Sequence, residues 1–128
     1  MASSFFLYEK LEVWNLAVDF VKDIYEILYG FPASENYILC GQIKRAAISI
    51  PSNIAEGAGR VSVKEKIHFI DIANGSLYEV LCQFKIALEI GYIDETSYNS
   101  IKNNATRISM MLGGWRRSLS TKLDNNKR

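Results

Sequence analysis

Three separate stretches of this chain place apolar residues at heptad spacing, a period that leaves little besides packed α-helices. The first seam is Leu11, Trp14, Val18, Val21, Tyr25 and Leu28. A second runs Ile67, Ile70, Asn74, Leu77, Leu81, Phe84 and Leu88, and a third Tyr98, Ile101, Ala105, Ile108, Leu112, Trp115 and Leu119. Between the first two lies a segment of plain helical period, where Ile43, Ala46, Ala47, Ile50 and Ile54 form one face. Four amphipathic segments with short connections predict an all-α, antiparallel up-down four-helix bundle. The helices are expected over about residues 8–29, 35–58, 63–90 and 95–119. A chain of 128 residues suits one such domain over residues 1–120, and residues 121–128 read as a polar, disordered tail.

The punctuation agrees with this division. Gly30 and Pro32 end the first helix, and Ser34 with Glu35 reads as the capped start of the second. Ser62-Val63-Lys64-Glu65 has the form of a capping box, Gly91 closes the third helix, and Asp94 can cap the fourth.

The second helix carries a polar stripe, Gln42, Arg45, Ser49, Ser52, Asn53 and Glu56, and an interior Pro51. An interior proline costs about 3 kcal/mol unless its site is shaped for it, so a kink or local unwinding is expected there. In the third helix, Gly75-Ser76 has almost no side-chain bulk. Glycine costs about 1 kcal/mol against alanine in mid-helix, which a close approach by Ala46-Ala47 would offset. We therefore take Gln42, Ala46, Ala47, Ser49, Pro51, Asn53, Glu56, Gly57, Gly75 and Ser76 as a structural hub.

The first helix has more apolar surface than one core needs. Beside its seam runs a second line, Val13, Leu16, Phe20, Ile24 and Ile27. One core face takes an arc of somewhat over ~100°. The surplus line is expected to be buried against another subunit.

Composition narrows the function. Hydrophobic residues make up 48% and charged residues 23%, ordinary for a soluble globular protein. The apolar runs fall far short of the roughly 20 residues that span a bilayer. The start, Met-Ala-Ser-Ser-Phe-Phe-Leu-Tyr, has no basic region or cleavage site, so secretion is not expected. Cys40 and Cys82 stand apart without metal-ligand spacing and are expected to be free, buried thiols in a reducing cytoplasm. The net charge of +1 is uneven: residues 1–30 sum to −3 and residues 100–128 to +6.

Catalytic chemistry is hard to place on this chain. It has no Gly-rich phosphate loop, paired-cysteine site or nucleophile elbow. Glu65 and His68 resemble half of a bundle di-iron site, but His68 is the only histidine, so neither metal nor any other cofactor is expected. Glu56 lacks a catalytic partner. It is expected to pair with Arg60 or to satisfy buried donors of another helix. Enzymatic activity is not expected.

Lys44, Arg45, Arg60, Lys64 and Lys66 lie on the second helix, its exit turn and the start of the third, near a positive helix N-terminus. With Arg107, Arg116 and Arg117 of the fourth helix, Lys44, Arg45, Arg60 and Lys64 are candidates for phosphate contacts. Solvated surface charges with local acidic partners explain them as well. No aromatic stacking platform is evident.

Several runs together resemble a known family: Leu11-Glu12-Val13-Trp14, Phe31-Pro32 with Glu35, the run from Gln42 to Gly57, Gly59-Arg60, and Gly75-Ser76 with Glu79. These are similar to the bacterial four-helix-bundle proteins encoded within intervening sequences of 23S ribosomal RNA genes, over roughly residues 8–117. The resemblance implies a non-enzymatic bundle that assembles as a ring-like homopentamer. Association with ribosomal RNA is attributed to the family mainly from where its genes lie. A related branch comprises basic pentameric accessory proteins of diversity-generating retroelements, which bind a reverse transcriptase and nucleic acid. This chain departs from that branch in its net charge of +1, its acidic first helix, and Asn74 where arginine is often found. Two functions stay open: an oligomer that associates with RNA, or a protein-interaction scaffold or accessory subunit without a nucleic-acid role.

Overall fold

A computed structural model describes residues 5–126. It contains four α-helices: α1 (Glu12–Leu28), α2 (Leu39–Gly59), α3 (Val63–Ile90) and α4 (Glu95–Asn126). Short 3-10 turns at Leu7–Lys10 and Ala33–Glu35 precede α1 and α2. No strand occurs among the described residues. Each helix packs on its sequence neighbour, α2 most extensively on α3, and α1 also meets α4 to close the bundle.

The helix starts differ from expectation for local reasons. α1 begins at Glu12 rather than residue 8, because Leu11 is extended (φ −73°, ψ 126°) and closes the 3-10 turn onto the Tyr8 carbonyl at 3.0 Å. Asn15 Nδ2 ties that turn down by donating to the carbonyls of Glu9 and Leu11, both at 3.0 Å. α2 begins at Leu39, not Glu35, and Ser34 lies in a 3-10 turn with no cap bond to α2. The chain must first bury Phe31, whose ring meets Phe84 edge-on at 6.3 Å and Tyr92 at 5.5 Å. Only after that crossing does the helix resume. It then continues unbroken through Pro51.

At other ends the local signals act as their chemistry predicts. Ser62 Oγ accepts from the Glu65 N–H at 3.3 Å. Gly91 adopts the left-handed conformation (φ 98°), where a side chain would be strained. Asp94 Oδ1 accepts from the Ser97 N–H at 2.7 Å, and this hydrogen bonding holds its carboxyl below the usual range. Lys66 Nζ donates to the carbonyls of Gly57 (3.3 Å) and Ala58 (3.0 Å), capping the end of α2 from the next helix. The tail expectation fails over residues 121–126, which continue α4. The reason is apolar: Leu119 is buried and Leu123 half-buried, so the core-facing line extends another turn. Lys127 and Arg128 lie outside the described residues.

The core corrects the rotation expected for α1. Its buried residues are Val13, Ala17, Phe20, Ile24 and Leu28. Val13, Phe20 and Ile24, expected at a subunit interface, are thus inside this chain's own core, and Leu16 and Ile27 pack half-buried against it. Trp14, Val18, Val21 and Tyr25 stand at the margin. Ala17 decides this: its small side chain is fully buried and lets α1 settle closely on the line that contains it. Trp14 and Tyr25 suit a margin, where an apolar ring packs while its polar atom reaches water. In α3 and α4 the expected faces are occupied, with Ile70, Leu77, Phe84, Ile101, Ala105, Ile108, Leu112 and Leu119 all buried.

The hub needs a second correction. Gly75 is exposed, and a Cβ built on it would meet nothing within 4 Å, so no backbone approaches it. The glycine that admits a neighbour is Gly57, where a Cβ would lie 3.1 Å from Phe69 Cβ and 3.4 Å from the Lys66 carbonyl. Two turns earlier on α2, Ser76 Oγ donates to Ser49 Oγ at 2.9 Å, and Asn53 Nδ2 donates to the Ser49 carbonyl (2.8 Å) and hydroxyl (2.9 Å). Ala46 and Ala47 are buried, while Gln42 and Glu56 are exposed. The polar stripe is therefore split, its inner members bonded to one another and its outer ones in water.

Candidate functional site

The seven basic candidates differ in what surrounds them. Arg60 Nη2 bonds Glu56 Oε2 at 2.9 Å, and the guanidinium lies 4.8 Å from the Phe69 ring centre. Arg116 forms a two-point contact with Asp71, Nε to Oδ1 at 2.7 Å and Nη2 to Oδ2 at 3.1 Å, which raises the guanidinium pKa further. Arg107 lines a cleft of about 140 Å³ between α1 and α4, with Asp19 and Asp23 opposite. Arg117 folds back along its own helix near Gly113 and Gly114. Arg45 and Lys64 are exposed. Two of the seven charges are thus already engaged by carboxylates in ion pairs, and a third faces acidic residues.

Lys44 differs. Its Nζ sits 4.9 Å from the centre of the Tyr25 ring. The same side chains line a cavity of about 410 Å³ together with Tyr29, Phe31, Tyr37 and the buried Cys40, whose thiol pKa burial raises. No aromatic platform is evident in the sequence, yet four aromatic residues line this one cavity. It draws residues from the end of α1, the connecting turn and the first turns of α2; one-turn spacing pairs Tyr25 with Tyr29 and Cys40 with Lys44, but no spacing rule joins the two pairs. Cys82, expected to be buried, is exposed.

A further surface was also missed. On α3, Ile72, Ile86 and Ile90 remain 37%, 45% and 55% exposed. Their spacing puts them on one flank with Glu79 and Gln83, beside the Ser76 contact to α2. Gln83 is only 8% exposed, yet its Oε1 has no hydrogen-bond partner among the described residues. An alternation of heptad-spaced core residues hid this second stripe, because the core seam of the same helix carries larger and more numerous apolar side chains.

Among the described residues, no group of three histidines, cysteines or carboxylates is arranged to hold a metal ion. No helix among the described residues is long and apolar enough to cross a membrane. The fold and surfaces together define an all-α four-helix bundle. The chain belongs to the 23S rRNA-intervening sequence protein family, whose model matches residues 9–114. It is similar to a crystal structure of a protein with unknown function from the S23 ribosomal protein family of Bacteroides thetaiotaomicron VPI-5482. The two are 25% identical with a TM-score of 0.73, covering 81% of this chain and 97% of that one. None of the curated proteins matches.

Proposed function

We propose that this protein is a non-enzymatic, self-assembling bundle that serves as a scaffold for larger complexes. The exposed isoleucine flank of α3 carries this reading. Apolar side chains in a row cost solubility unless another surface covers them. Gln83 supports the same interpretation, since a buried oxygen without a partner gains from a donor on an adjoining subunit. In this reading the helices run antiparallel, up and down, as the contacts Ser49–Ser76 and Gly57–Phe69, then Asp71–Arg116 and Asn74–Ser109, suggest. A bend in α2 at Pro51 would set how that helix follows the flank. The family resemblance adds a ring-like homopentamer, and the cytoplasm is the compartment that suits two free thiols.

Ile72→Asp and Ile86→Asp test the assembly. Wild type is expected to scatter light as an oligomer at micromolar concentration, and each variant as a folded monomer with unchanged helical circular dichroism. A monomeric wild type, or variants that assemble as it does, removes this interpretation.

A second function, association with RNA, is favoured by the family description. Repetition of a weakly basic surface around a ring would raise avidity without new contacts. The expected result is RNA binding that weakens as salt rises, because phosphate contacts release counterions. Absence of binding to both structured and single-stranded RNA at low ionic strength would exclude it.

A further inference from the structure

We propose that the α1–α2 connection carries a stacking site for single-stranded RNA, with bases lying on Tyr29 and Tyr37 and a phosphate meeting Lys44. This rests on the RNA association proposed above. Tyr29 and Tyr37 are 86% and 98% exposed, so neither ring contributes appreciably to folding. Among the described residues neither packs on another aromatic ring, which leaves their faces open. Both line the cavity of about 410 Å³ that also contains Tyr25 and Lys44. That volume falls within the range of roughly 300–1,000 Å³ typical of small-ligand pockets, enough for a nucleotide unit.

The charge at this place is also available. Lys44 Nζ is held over Tyr25, and among the described residues it has no carboxylate within 4.0 Å. Glu35, the acidic residue of the same connection, hydrogen-bonds toward Tyr92, whose phenol pKa is raised by desolvation first and by Glu35 second; its charge also reaches Cys40 in the cavity wall, as that of Lys44 does. A cation without a carboxylate partner in a cavity lined by exposed rings suits a single strand: phosphate meets the cation and bases stack on the rings. An acidic peptide would use Lys44 but leave both ring faces idle. A duplex keeps its base faces covered, so it offers these rings nothing to stack on.

The test titrates the full-length chain with fluorescent decamers of uridylate and adenylate, and with an RNA duplex of equal length. Tyr29→Ala and Tyr37→Ala are each expected to weaken decamer binding about tenfold or more, while Tyr37→Phe stays near wild type because the ring face is kept. Lys44→Gln is expected to weaken binding and flatten its salt dependence by roughly one phosphate contact. The duplex is expected to be insensitive to both tyrosine changes. If wild type binds the decamers and the alanine variants bind equally well, the stacking site is overturned while RNA association stands. If wild type binds no RNA at low salt, RNA association itself falls, and the site with it. Light scattering on each variant separates loss of the site from loss of assembly.

Discussion

Phe20→Ala is expected to lower the unfolding free energy by about 3–5 kcal/mol, the usual cost of emptying a buried phenylalanine site. The side chain is 2% exposed and sits in the row with Val13, Ala17, Ile24 and Leu28. Its burial lies entirely within one chain, so the cost should be the same at every protein concentration in urea unfolding. A residue buried between subunits behaves otherwise, because dilution separates the copies and removes its contribution. Val18→Ala, at the half-buried margin, is expected to cost much less. A Phe20→Ala penalty that disappears on dilution would return α1's second apolar line to a subunit interface.

The second large effect is expected at Gly57→Val. The added side chain would enter a space where even a Cβ lies 3.1 Å from Phe69 Cβ, the side-chain atom fixed directly to the α3 backbone, and 3.4 Å from the Lys66 carbonyl, which is part of that backbone. Neither can swing away as a long side chain would. Overpacking of this kind costs about 1–3 kcal/mol. It should also disturb the Ser49–Ser76 hydrogen bond two turns along α2. Gly75→Ala provides the contrast, since a Cβ there meets nothing within 4 Å. Replacing an exposed mid-helix glycine by alanine is worth up to about 1 kcal/mol, so the isolated subunit should become more stable. Thermal unfolding of both variants checks the pair, and equal shifts of one sign would mean that the close α2–α3 contact lies elsewhere.

These two sites show where reading residues in order succeeds and where it stops. The seams of α3 and α4 were legible because each has one dominant apolar line, and a single line can only face inward. On α1 two lines compete, and their sizes favour the one containing Trp14 and Tyr25. The choice between them is made by Ala17, a residue too small to register in any hydrophobic count but small enough to allow close packing. Gly57 and Gly75 look alike as letters. Only the neighbour at 3.1 Å distinguishes them.

The candidate sites follow the same division. Glu56 with Arg60 is separated by one helical turn, so that pair could be anticipated from spacing alone. Asp71 with Arg116 joins positions on different helices, and no local rule brings them together. The grouping of Tyr25, Tyr29, Tyr37 and Lys44 likewise depends on how the chain crosses from α1 to α2 while Phe31 is buried beneath it.

What the sequence alone determined is the set of four helices, most of their end signals, and the family to which the chain belongs. Periodicity and capping act within a few residues, so they are written locally. Tertiary structure decided which face of α1 turns inward, which glycine lies in the tight contact, that the final helix continues through residues 121–126, and which cations remain without a carboxylate partner among the described residues. Those outcomes depend on the separation of atoms far apart in the chain. Packing, being short-ranged in space but not in sequence, is fixed only when all four helices are in place.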